Sequence, residues 1–73
     1  MFYILELQTN NGTPAYIVQT ANTYNEAMNK YYTILAAAAI SEIDIHACAV
    51  FDEFGQLSTS NFFIHGDITP PEG

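Results

Sequence analysis

The sequence predicts a small α+β domain of β-β-α-β-β order, with a four-stranded antiparallel sheet that carries one helix on one face. Three observations predict it: an Asn-Gly turn between two apolar runs, one capped stretch of helical periodicity in mid-chain, and a strictly alternating run followed by a Gly-containing turn. With 73 residues there is room for one core, placed over 1–68, and Thr-Pro-Pro-Glu-Gly at 69–73 reads as a disordered tail.

Phe2 to Thr9 is rich in aromatic and aliphatic residues and forms the first strand. Asn10-Asn11-Gly12-Thr13 follows, and its Asn-Gly step suits the positive φ that a tight hairpin turn demands. Ala15 to Thr20 is the return strand, with Pro14 at its start, where a missing amide donor costs little.

Thr23-Tyr24-Asn25-Glu26 has the form of a capping box, the Thr23 hydroxyl accepting from the Glu26 amide while the Glu26 side chain reaches back. Behind it Tyr24, Ala27, Met28, Tyr31, Ile34, Leu35, Ala38 and Ala39 recur at helical spacing, with Asn25, Glu26, Asn29, Lys30 and Thr33 mainly opposite. Such a stripe is a core face, and its alanines let the helix approach a sheet closely.

Glu42 to Asp52 alternates as a third strand, Ile43, Ile45, Ala47, Ala49 and Phe51 pointing one way and Asp44, His46, Cys48, Val50 and Asp52 the other. Asp52-Glu53-Phe54-Gly55-Gln56 supplies the turn, and Leu57 to Ile64 returns. A right-handed crossover after the first hairpin lays strand three beside strand one, giving the order 2-1-3-4.

If Tyr3, Leu5 and Leu7 face the helix with Ile43, Ile45, Ala49 and Phe51, then Phe2, Ile4, Cys48 and Val50 occupy the opposite face. Ile17 or Tyr16 joins them, as does Phe62 or Phe63, according to hairpin register. A second face so apolar calls for a covering surface. Phe2, Ile4, Ile17, Cys48, Val50 and Phe62 are therefore the expected interface, and a homodimer by sheet-to-sheet packing is the expected assembly. Self-association also suits a small chain whose single cysteine forbids an internal disulfide and whose Cys/His spacing offers no zinc site.

Eight carboxylates stand against one Lys and no Arg, a formal charge of −7. Such a field disfavours direct nucleic-acid binding and attachment to anionic membranes, and any charged partner should be basic. Glu42, Asp44, Asp52 and Glu53, with Asp67, are expected to crowd one flank of the second hairpin. That acidic patch defines a rival reading, an inhibitor that imitates phosphates in the groove of a basic host protein. The ordinary role of such carboxylates is to keep a small protein soluble.

Asp44, His46 and Cys48 share one strand face at two-residue intervals and form a second rival, a small metal or thiol site. His65 joins them or turns to the helix according to register: a three-residue loop pairing Asp52 with Gln56 sends it to the helix face. No oxyanion hole, Gly-rich phosphate loop or nucleophile elbow is recognisable, so the chain is read as non-enzymatic, with no catalytic, cofactor-binding or metal-ligating residue assigned. No signal peptide is indicated, and Ile34 to Ile40 is far shorter than the ~20 residues of a membrane span, which points to the cytoplasm.

The block Lys30-Tyr31-Tyr32-Thr33-Ile34-Leu35-Ala36-Ala37-Ala38-Ala39, followed by Ala47-Cys48-Ala49-Val50-Phe51-Asp52-Glu53-Phe54-Gly55, resembles small acidic proteins of unknown function encoded by phages and prophages of Gram-positive gut bacteria. The resemblance implies a phage accessory or virion-associated protein, located in the host cytoplasm or in the virion, or an inhibitor of host defence. It carries over no catalytic residue.

Overall fold

A computed structural model describes residues 1–66; the expected tail at 69–73 and Asp67 lie outside the described residues. The elements are β1 (Phe2–Asn10), β2 (Thr13–Ala21), α1 (Tyr24–Ala39), β3 (Ile45–Asp52) and β4 (Leu57–Ile64). They build one antiparallel sheet in the order β2-β1-β3-β4, the topology that the sequence predicts.

Asn11 (φ 53°) and Gly12 (φ 78°) supply the two positive φ values of a type I′ turn, and Asn10 pairs with Thr13 across it. A two-residue hairpin closes on a hydrogen-bonded pair, so alternation turns the backbone groups of Pro14, Tyr16, Val18 and Thr20 away from β1. The amide that Pro14 lacks is thus one that β1 never needed. This lets β2 begin at Thr13, ahead of the predicted Ala15.

At the helix N-terminus the Thr23 Oγ1 accepts from the Glu26 amide at 3.2 Å, while Glu26 Oε2 accepts from the Asn22 amide at 3.3 Å. The reciprocal cap therefore forms one residue further out than the simple box. Ala27, Tyr31, Ile34 and Ala38 are the buried residues of α1, spaced four, three and four apart. Tyr24 and Ala39, predicted on the same stripe, are exposed. The Tyr24 ring packs edge-on against Phe2, with centroids 5.9 Å apart.

The β3–β4 loop pairs Asp52 with Gln56, the Asp52 amide donating to the Gln56 carbonyl at 3.0 Å. A bulge follows at once: Phe51 pairs with Leu57 but Val50 with Thr59, leaving Ser58 unopposed. Every later pair shifts by one, so the His65 amide donates to the Asp44 carbonyl at 2.8 Å.

The two sheet faces are the reverse of those expected. Phe2, Ile4, Cys48 and Val50 lie beneath α1, with Ile4 and Val50 at 0% and Cys48 at 1% exposure, packed against Ala27, Tyr31 and Ile34. Ile17 pairs with Glu6 and so sits on that helix-bearing side, 51% exposed. Of the six expected interface residues only Phe62, the partner of Ala47, belongs to the open face. The physical reason is polar pairing. The helix-side parity includes Glu6 and His46, which look unfit for a core, yet they satisfy each other there, and no buried side-chain N or O among the described residues lacks a partner.

Candidate protein-binding face

Cross-strand partners share a face, so the register alone defines the helix-free surface. It comprises Tyr3, Leu5 and Leu7 of β1; Tyr16, Val18 and Thr20 of β2; Ile45, Ala47, Ala49 and Phe51 of β3; and Leu57, Ser60, Phe62 and Ile64 of β4. None of these carries a charge. Six of its large side chains are well exposed, from 40% at Tyr3 through Leu7, Phe62, Val18 and Leu57 to 74% at Tyr16, while Leu5, Ile45, Phe51 and Ile64 are partly exposed.

Four strands about 4.8 Å apart and eight residues long at ~3.3 Å each project a face of roughly 500 Å². Side-chain relief lifts its accessible area towards the roughly 800 Å² that each partner of a specific complex buries. Ala47 and Ala49 form a low central row between Leu5 and Leu7 on one side and Ser60 and Phe62 on the other. The face can therefore receive ridges from an opposing sheet at the usual ~10 Å separation.

Beneath the helix lies a polar cluster of which the sequence showed only one member. His46, 3% exposed, places Nε2 at 2.6 Å from Glu6 Oε2 and Nδ1 at 3.0 Å from Ser41 Oγ. Gln8 Nε2 donates to the same Glu6 oxygen at 2.9 Å, and the Ser41 hydroxyl donates to the Ala38 carbonyl at 3.2 Å. Glu6 and Ser41 carried no motif signal, because their relation to His46 exists only once β1 and the helix end are docked.

Cys48 lies opposite Glu6 on the neighbouring strand. Burial, together with that carboxylate, pushes its thiol up to about 11, partly offset by a hydrogen bond from the Ala49 backbone. Such a thiol stays protonated at neutral pH and is a poor nucleophile or metal ligand.

Asp44 does not join His46 and Cys48 as a third ligand; its Oδ2 accepts from the Asn11 amide at 2.9 Å, tying the first turn to the start of β3. Among the described residues no three His, Cys, Asp or Glu side chains gather as metal ligands, and no pocket is present. His65 does reach the helix, donating from Nε2 to the Ala38 carbonyl at 2.7 Å. It arrives there through two cancelling changes, the bulge and the exchange of faces.

The expected acidic patch is divided. Glu42 and Asp44 precede β3 whereas Asp52 ends it and Glu53 follows, so the eight residues of the strand separate the two pairs by about 26 Å. Asp52 is further engaged within its own turn, Oδ1 accepting from the Phe54 and Gln56 amides at 2.9 Å each. Asp67 lies outside the described residues.

Fold and surface together define a class: a small α+β protein whose sheet is sealed by a helix on one side and presents an uncharged apolar face on the other. Comparison with protein-family models, with curated proteins and with solved structures finds no match for the chain. No described helix is long and apolar enough to cross a membrane.

Proposed function

We propose that the chain is a non-enzymatic protein-interaction module that pairs with a second copy of itself by packing the two helix-free sheet faces together. One observation carries this reading. The more apolar side of the sheet, with Leu5, Leu7, Ile45, Phe51 and Phe62, is left open, while the side holding Glu6 and His46 is placed under α1, the only helix among the described residues. A chain evolved to stand alone gains more by covering the apolar side, since each square ångström removed from water is worth roughly 25 cal/mol.

Charge supports a second copy as the occupant. The face has no carboxylate to attract a basic partner: Glu6 lies on the helix side, Glu26 in the helix, and Glu42, Asp44, Asp52 and Glu53 at the two ends of β3, where two copies keep them hydrated. An accessory role of phage type, in the host cytoplasm or on the virion, rests on the sequence resemblance and belongs to the same proposal.

The test is mass measurement by light scattering or sedimentation across a concentration series, on the wild type and on Leu7→Asp. Leu7 is half-exposed at the middle of the open face, so a carboxylate there leaves the core intact and should abolish face pairing. A wild-type chain that stays a strict monomer at high micromolar concentration, or a Leu7→Asp variant of unchanged mass, overturns the reading.

A further inference from the structure

The two outer edges of the sheet differ. On β2, Pro14 has no amide to offer and the chain's only lysine donates from Lys30 Nζ to the Thr20 carbonyl at 2.7 Å, so that edge is blunted at both ends. On β4 there is neither proline nor charge from Leu57 to Ile64, and the bulge at Ser58 affects only its beginning. Among the described residues no strand lies beyond β4.

The orientation of that edge follows from the ladder. The His65 amide is bonded to Asp44 on β3, so alternation turns the backbone groups of Ser60, Phe62 and Ile64 outward. The Phe62 amide confirms the direction, because it donates to the Asn61 side-chain Oδ1 at 2.8 Å and not to β3.

We infer that this outward row of β4 pairs antiparallel with the same row of a second copy, about a two-fold axis near Phe62, so that two sheets join edge to edge. In that arrangement Ser60 faces Ile64, which matches their outward N–H and C=O groups, and Phe62 faces its own counterpart, its amide exchanging the Asn61 Oδ1 acceptor for the carbonyl of the second copy. A strip of eight uncharged residues is an approach that a chain of charge −7 offers to its like. It holds no carboxylate to select a basic peptide, which favours a second copy as occupant. Phe62 and Ile64 also contribute side chains to the open apolar face, which edge pairing extends across both copies. The inference does not depend on face-to-face pairing; with both contacts present the assembly holds four copies.

The experiment combines mass by sedimentation with amide hydrogen exchange on the full chain. Ser60→Pro deletes an outward donor without touching a bond to β3, and Asn61→Asp keeps the acceptor for Phe62 while adding a like charge to the strip. Each should halve the assembly mass while preserving the circular dichroism spectrum, and Leu7→Asp should leave an edge-paired dimer. In the wild type the Phe62 and Ile64 amides should exchange slowly at high concentration and rapidly on dilution. Unchanged mass in a folded Ser60→Pro or Asn61→Asp variant overturns the inference. So does rapid exchange at all concentrations, or protection that does not respond to dilution and thus comes from within one chain. Loss of assembly in Ser60→Pro with no effect of Leu7→Asp sinks face pairing alone and leaves edge pairing standing.

Discussion

The imidazole of His46 and the carboxylate of Glu6, forty residues apart in sequence, meet at 2.6 Å beneath the helix and so allow a side of the sheet that carries two polar groups to serve as the core. Each is the other's reason for being buried. Removing Glu6 leaves the His46 Nε2 without a partner in a site that is almost closed to water. Glu6→Ala is expected to lower unfolding free energy by about 1–3 kcal/mol in chemical denaturation. Replacing both residues with apolar side chains of matching volume should recover much of that loss. A neutral Glu6→Ala result would show that the contact contributes nothing to stability.

Carboxylates placed on the two faces of the sheet should act in opposite ways. Val50 is fully buried against the helix, so Val50→Asp puts an unpaired carboxylate into the core and should unfold a domain this small. Leu7→Asp should keep the native circular dichroism spectrum and reduce only the assembly mass. Equal effects of the two variants on folding would contradict the assignment of faces.

Self-association should strengthen with salt. Two copies of formal charge −7 repel, and a rise in ionic strength shortens the Debye length from about 10 Å at 0.1 M to about 3 Å at 1 M. Sedimentation at several salt concentrations reads this directly. Weakening with salt would contradict a contact made by uncharged surfaces between two chains of like charge.

Cys48 gives stability an alkaline limit. The unfolded thiol begins to ionise near 9.0, whereas the folded one holds its proton to about 11. Between those values the native state binds more protons than the unfolded state. Stability is therefore complete below pH 9 and falls as pH rises towards 11, by roughly 1.4 kcal/mol per unit. Comparison with Cys48→Ala in urea titrations across this pH range isolates the contribution of the thiol. At pH 8 the native thiol should resist alkylating reagents that react at once with the unfolded chain.

The helix cap is a local feature with a local measurement. Thr23→Ala removes the acceptor for the Glu26 amide and should cost about 1 kcal/mol, with faster amide exchange in the first turn of the helix. Thr23→Ser should restore both.

By themselves the residues determined the element order, the strand order, the type I′ turn at Asn11-Gly12 and the start of the helix at Thr23. All but the strand order depend on neighbours in the chain, a left-handed dipeptide, a cap three residues from its target, a period of two or of 3.6, and the strand order follows from the handedness of the crossover. Which parity of the strands is buried is another kind of question. In Phe2-Tyr3-Ile4-Leu5 and again in Ala47-Cys48-Ala49-Val50 both parities are apolar, so alternation alone gives no sign. Taken one by one, Glu6 and His46 count against the side that is buried, until Ser41, Gln8 and the docked strands complete their hydrogen bonds. The bulge at Ser58 likewise has no signature in Leu57-Ser58-Thr59, and it sets the register that places His65 opposite Asp44, from which the exchange of faces carries it to Ala38. Only the tertiary structure decided these points, because the free energy of a buried polar group depends on partners that the chain brings together from its far ends.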